Sequence, residues 1–532
     1  MSVLRPSLAG TVPLVGFALR RDRLRLTVWT AVGAGLVATQ SVSSQALYDS
    51  PQDLAAYAAS VGSNAATIAL AGPPVGLDTV AGAVAFEISS FVILVAALMA
   101  MFTIGRHTRA DEEGGRTELL RATRVGRHAP LMAAVLVTAA ACIAIALAIG
   151  AAATATGLPA RGSFLLGASV GAAGLVFAGT TAVAVQVTGS TRTAYGIVWT
   201  LFGLSFVLRA VGDIEGGWVS WASPIGWAQA THSYSDDRAA PLLLCLLVTG
   251  VLLALSVALL DRRDLGSGLL AARPGRASAS PLLRSFLGLA VRLHRGALLG
   301  WMVAMALLGL VFGSLADSVE TLFADNPEAR QLLPDAGGLV DGYLATALSI
   351  NALLAAVYAV SAVLRAHAEE SAGRAEPVLA TATSRASWLG SHIAVALVGS
   401  TLVLLVSGAA TGAVRAAARG DGGEFGRLLG ATSAYLPAVW VLAGTAAALF
   451  GLLPRLAAAL TWAAVAYVTV MTLFAESFDW PNWIDDLSPL AWTPLVPVDA
   501  SSPAPLAALT AVAVLLLAVG LGGFRRRDLA TG

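Results

Sequence analysis

The stretch RHTRADEEGGRTELLRATRVGR, residues 106–127, separates two long apolar runs, 84–104 and 129–153. Its six arginines and four acids keep it out of hydrocarbon, so each flanking run ends at a membrane surface. Read as a helix, it puts Glu112 and Arg116 at i and i+4 on one face, with Leu119 and Leu120 as an apolar edge. A near copy, AHAEESAGRAEPVLATATSR, occupies residues 366–385. There Glu370 and Arg374 repeat the pair, Gly115-Arg116-x-Glu118 returns as Gly373-Arg374-x-Glu376, and Ala122-Thr123 as Ala380-Thr381. One such loop reads as a solvated link. Two copies of the same pattern in one chain point to a charged knob that docks twice on the same kind of partner surface.

Around the knobs the chain is 57% hydrophobic and only 12% charged, against about 25% charged in a soluble domain. This is the composition of an all-α polytopic membrane protein. Twelve runs approach the ~20 residues a spanning helix needs: 26–44, 84–104, 129–153, 164–187, 193–211, 241–260, 297–316, 343–364, 387–413, 429–453, 456–475 and 506–522. The net charge of +1 hides an asymmetry. With the N-terminus inside, 26 of the 33 arginines fall on the inner side and 21 of the 32 acids on the outer. The positive-inside rule then predicts a multi-pass protein of the plasma membrane with both termini and both knobs cytoplasmic. The basic segment up to Arg25 reads as an amphipathic interfacial piece before a retained first span, rather than a cleaved leader.

The two halves read as a repeat. Trp29/Trp301, Arg116/Arg374, Arg192/Arg455, Ser223-Pro224-x-x-Trp227/Ser488-Pro489-x-x-Trp492 and Arg262-Arg263-Asp264/Arg526-Arg527-Asp528 recur at separations of 258 to 272. Six spans per half, each half starting inside, make the repeats parallel. The organisation predicted is a first six-span repeat at 1–272, a linker RPGRASASP at 273–281 and a second six-span repeat at 282–532. On the outer side, 45–82 and 317–341 read as acidic loops with short surface helices, and each Ser-Pro-x-x-Trp as an interfacial or re-entrant turn.

Enzyme chemistry is missing from this pattern. No catalytic residue is assigned, and none of the six histidines has metal-ligand spacing to a cysteine or acid. Cys142 and Cys245 lie in apolar runs and read as small hydrophobes. Every basic side chain is arginine, so the chain has no lysine for a Walker A phosphate loop and cannot itself be a P-loop ATPase. Two ionisable groups fall inside spans, Glu87 and Arg209, both near the outer boundary, where snorkelling is the cheaper explanation.

The pattern from Glu112 to Arg127, and more closely from Glu370 to Arg385, resembles the cytoplasmic signature of ABC-2 type exporter permeases; in the first copy Leu119 stands where that family usually has proline and Gly126 where it has serine. The Ser-Pro signal before the last span of each half resembles the same family. A fused pair of such units, rich in Arg and Ala, looks like the actinobacterial "exporter of polyketide antibiotics" permeases. The resemblance implies twelve transmembrane helices in two parallel six-helix repeats of the type V exporter kind, moving hydrophobic drugs or antibiotics out of the cell. It also implies two copies of a separate cytoplasmic P-loop ATPase, which holds the ATP and Mg; this chain holds no cofactor, and no nucleic acid is expected. The knobs would act as coupling helices, with Glu112, Glu113, Arg116, Glu118, Glu369, Glu370, Arg374 and Glu376 as the partner-facing set. The substrate path would run between the halves along spans two, five, eight and eleven, with Phe91, Leu94 and Val357 among its lining. Two other classes fit twelve spans: a proton-coupled secondary multidrug transporter, which lacks here its G-x-x-x-D-R-x-G-R pattern, and a non-transporting membrane scaffold.

Overall fold

A computed structural model describes residues 7–62, 65–215, 217–264, 266–270, 278–280, 283, 285–316, 338–474, 482–499 and 502–528. Most of the linker 273–281 and of the acidic loop 317–341 lies outside the described residues. Those residues contain helices and turns and no strand. The chain divides into two compact units, Met1–Gly275 and Arg276–Gly532.

The first unit opens on α1 (Thr11–Leu47), a single helix of 37 residues, or about 55 Å at 1.5 Å per residue. This corrects the expected interfacial piece: from Thr11 the basic segment runs unbroken into the first span. Pro13 stands in the first turn, where a missing N–H breaks no helical bond, and no further helix breaker precedes Gly33 except Gly16, which a helix tolerates. The short helices α2 (Pro51–Val61) and α3 (Ala65–Ala71) follow, then α4 (Val80–His107). Two further short helices, α5 (Arg109–Glu113) and α6 (Arg116–Arg121), form the knob. Beyond them come α7 (Ala129–Ala155), α8 (Ala160–Val187), α9 (Thr191–Glu215), α10 (Pro224–Gln229) and α11 (Ala240–Arg262). The core gathers around α4 and α8, where Ile93, Ala96, Ala100, Ile104, Val170 and Phe177 are buried against Ile145 and Ile149 of α7.

The second unit holds α12 (Phe286–Leu315), α13 (Leu339–Ser371), the knob helix α14 (Ala375–Leu379), α15 (Arg385–Arg419), α16 (Gly423–Ser433), α17 (Leu436–Leu452), α18 (Ala457–Phe474), α19 (Asn482–Asp485) and α20 (Pro503–Arg526). Its core is centred on α13, with Leu348, Ala352, Ala359 and Val363 packed against α15 and α17. The helices α17 and α20 touch backbone to backbone. A Cβ on Gly520 would lie 2.5 Å from the Ala447 carbonyl, and one on Gly451 would lie 2.2 Å from the Gly520 oxygen. Association of apolar helices in lipid depends on such close approach, because Leu gains nothing by leaving lipid for another Leu.

All twelve apolar runs lie largely in helices. Ten helical stretches among the described residues are long and apolar enough to cross a membrane, not twelve. The first run belongs to α1, whose Gln40, Ser41, Ser43, Ser44 and Gln45 dilute its hydropathy, and the eleventh to α18, which has only 18 residues. The all-α polytopic architecture stands; the count of twelve rests on those two helices.

At the end of the first unit away from the knob, polar groups tie the short helices down. Glu87 accepts hydrogen bonds from Gln40 (2.6 Å), Ser44 (2.8 Å) and the Tyr48 hydroxyl (2.8 Å), fastening the end of α1 to α4. Burial, and then the charge of Glu87, hold the hydroxyls of Tyr48 and Tyr57 well above the ordinary tyrosine range, so both stay neutral donors. Arg209 does not snorkel. It is fully buried, with its guanidinium donating to the carbonyls of Ile68 (2.9 Å) and Ala69 (2.7 Å) at the end of α3 and lying 3.5 Å from Asp213. The snorkelling expectation fails because the last turn of α3 packs against Arg209 and offers its backbone carbonyls as acceptors.

The two Ser-Pro-x-x-Trp signals share a tryptophan contact, but among the described residues only the first starts a helix. Ser223 caps α10 through its Oγ, which accepts from the Ile225 and Gly226 amides, and Pro224 takes the first helical position. Trp227 donates from Nε1 to the Trp221 carbonyl, and Trp492 does the same to Asp486, each six residues back.

Candidate functional site: two clasped knobs

Each knob is a broken helix, and the break decides its ion pairs. In the first, α5 ends at Gly114 and Gly115 takes a left-handed backbone, φ +70°. In the second, α13 ends at Ser371 and Gly373 takes φ +68°. Glycine adopts this conformation at little steric cost and ends the helix. Glu112 and Arg116 therefore sit on opposite sides of a helix terminus, as do Glu370 and Arg374, and neither i, i+4 pair forms. Arg116 turns back to Asp111 (2.8 Å) and Arg374 to Glu369 (2.8 Å), five residues away in both cases. The hydrogen bond to Glu369 raises the Arg374 pKa above its ordinary value.

The acids released from those pairs reach across their units. Glu112 accepts from Arg263 at the end of α11 (2.5 and 3.0 Å) and from Arg109 (2.8 Å). Glu370 accepts a two-point bond from Arg527 at the end of α20 (2.8 and 2.6 Å). The contact is returned in the other direction. Arg127, closing the first knob, donates to the carbonyls of Leu260 (2.7 Å) and Arg263 (2.8 Å), and Arg385, closing the second, donates to the carbonyl of Arg527. Each knob is thus held by a reciprocal clasp: its glutamate takes the guanidinium of the Arg-Arg-Asp motif, and its final arginine caps the helix that the motif ends.

The two clasps have different surroundings. Arg263 also donates to Gln186 (2.6 Å), and Arg109 donates to the Val185 carbonyl (2.6 Å). Arg527 instead lies over the rings of Phe450 (5.0 Å) and Phe524 (4.9 Å), a cation–π contact. Gln186 and Phe450 stand 264 residues apart, as Arg263 and Arg527 do, so one position supplies an amide in one unit and an aromatic face in the other. The first knob has further ties to α1: Arg21 to Asp111 (3.1 Å), and buried Asp22 to Arg106 (3.2 Å) and His107 (2.6 Å). Main-chain bonds join the Gly126 amide to the Ala9 carbonyl and His128 to Ser7.

Of the remaining candidate residues, Glu113 is exposed but occupied, accepting from the amide and hydroxyl of Thr191 (both 2.8 Å) at the start of α9. Glu118 and Glu376 are exposed and make no ion pair among the described residues. Beside Glu118, Leu119 is 74% exposed; beside Glu376, Pro377 is exposed. Phe91 is exposed on α4, Leu94 lies half-buried near Phe177 and Phe202, and Val357 is half-buried on α13 against the core. Sequence reading missed Arg109, Asp111, Arg263 and Arg527. The Arg-Arg-Asp motif was visible as a repeat landmark, but nothing in the sequence said what it touches. Among the described residues no group of three or more His, Cys, Asp or Glu side chains could hold a metal ion.

A family model described as "Multidrug efflux system permease Rv1217c, C-terminal domain" matches residues 13–260 and 283–525. The chain is 38% identical over 524 residues to a protein of Mycobacterium tuberculosis (strain ATCC 25618 / H37Rv) named "Multidrug efflux system permease protein Rv1217c", covering 98% of this chain and 95% of the relative.

Proposed function

This chain belongs to the multidrug efflux system permease family, and from that premise we infer that its two knobs are the docking points of a separate ATPase. The chain is a multi-pass membrane permease of an exporter, a transporter subunit rather than an enzyme. One observation carries the docking reading: in each unit the knob is clasped by an ion pair on one side and an arginine–carbonyl hydrogen bond on the other, while one glutamate, Glu118 or Glu376, is left open to solvent beside an exposed apolar residue. A rigid, charged patch with an apolar neighbour suits a protein partner. In this reading the knobs and both termini face the cytoplasm, two ATPase copies bind, one per knob, and ATP and Mg act on the partner. The cargo is a hydrophobic drug or antibiotic, and Phe91, Leu94 and Val357 are pathway positions.

The test uses everted membrane vesicles that carry the chain with a candidate P-loop ATPase partner from the same organism, and a hydrophobic fluorescent dye as cargo. Uptake driven by ATP should persist when a protonophore collapses the proton gradient, and the purified chain alone should hydrolyse no ATP. Uptake that stops with the protonophore and ignores ATP would favour a proton-coupled transporter instead.

A further inference from the structure

We propose that Arg263 and Arg527 are positioning residues for ATP-driven export: each locks the knob of its unit to the last span of that unit, so that movement of the knob is carried into α11 or α20. The inference rests on the reading that the knobs receive the ATPase. It goes beyond that reading by naming the link between the docking point and the membrane.

Three observations point to a link rather than to stability alone. First, the clasp is reciprocal in both units, side chain to carboxylate one way and side chain to backbone carbonyl the other. A two-way clasp fixes orientation as well as distance, since a bidentate guanidinium–carboxylate contact is planar and directional. Second, the ion pairs are sheltered from water. Arg263 is 3% and Glu112 10% exposed, and Arg527 is 14% and Glu370 3% exposed. Salt screens such pairs much less than surface ones. Third, the helices so held lie at the edge of their own units: most of the apolar length of α11 and of α20 is left unburied. Each is an edge helix, attached at one end to the segment a partner would push. The surroundings also differ, an amide and a second arginine around Arg263 against two aromatic faces around Arg527. The two units therefore need not transmit movement equally.

The test uses the whole chain co-expressed with its ATPase and reads the coupling ratio, dye transported per ATP hydrolysed, in reconstituted vesicles. A purely structural role would lower the amount of folded complex without changing this ratio. Arg527→Glu should lower the ratio about tenfold, within the range by which residues between two sites alter coupling. The charge-swapped pair Glu370→Arg/Arg527→Glu should restore it to at least half. Arg527→Lys, which keeps the charge but loses the two-point contact, should fall between, and stands in if Arg527→Glu does not fold. Arg263→Lys should show the smaller drop, because Arg109 still holds Glu112. A wild-type ratio in Arg527→Glu overturns the proposal, and so does a swapped pair that stays as uncoupled as the single variant. If the wild-type chain binds no ATPase and shows no ATP-driven transport, the docking reading itself has failed, an outcome visible before any variant is compared.

Discussion

Arg374 Nε lies 2.8 Å from Glu369 Oε2, five residues back, while Glu370, the neighbour that helical spacing favours, is turned away to Arg527. The left-handed Gly373 between them makes this arrangement possible, as Gly115 does for Arg116 and Asp111. Alanine at either glycine would be forced into a region L residues avoid, at about 1–2 kcal/mol. Gly115→Ala and Gly373→Ala should therefore lower the melting temperature of the detergent-purified chain by no more than a few degrees, but clearly weaken ATPase binding. Equal binding of the partner by all three proteins in a titration would show that knob geometry does not matter.

Buried Arg209 gives a prediction of the opposite kind, large in stability and indifferent to the partner. Arg209→Met would leave Asp213 and the α3 carbonyls without their cation. Breaking a buried pair by removing one member costs about 3–5 kcal/mol. Intrinsic tryptophan fluorescence during heating should report a clear fall in unfolding temperature for Arg209→Met. The double variant Arg209→Met/Asp213→Asn should recover part of it, because no unpaired charge remains. A wild-type melt for the single variant would mean that Arg209 is solvated after all.

Orientation can be read with a membrane-impermeant thiol reagent, because the native Cys142 and Cys245 are buried and should stay silent. Cysteine placed at Ser50 or Ser502 is expected to label from outside intact cells, and cysteine at Ser278 only after permeabilisation. The reverse pattern would put the knobs on the wrong face for a cytoplasmic ATPase.

What could be read in the sequence was whatever depends on local pattern. The apolar runs marked helices because a chain in lipid must bond its own backbone, and Ser223-Pro224 marked a turn because proline and cap chemistry are short-range. The knob was visible as a segment too charged to embed. Its pairing was not, because an i, i+4 rule assumes a continuous helix, and Gly115 and Gly373 end it between the two partners. The clasp lay further out of reach. Glu112 and Arg263 are 151 residues apart, and only the packing of α11 beside the knob brings them together. Arg209 was misread for a related reason: its partners are backbone carbonyls of a short helix, and carbonyls carry no sequence signal.

The docking of the ATPase on Glu118 and Glu376 is tested most directly by co-purifying the partner with Glu118→Arg, Glu376→Arg and the double variant. A charge lost from a desolvated interface pair costs about 2–5 kcal/mol, and neither side chain holds the fold together, being exposed and outside both clasps. We predict that all three variants insert and purify normally, that each single variant retains less ATPase than wild type, and that the double variant retains almost none and shows no drug-stimulated hydrolysis. A double variant that keeps the full complement of ATPase and its drug-stimulated activity would contradict this account and leave the two knobs as solvated loops.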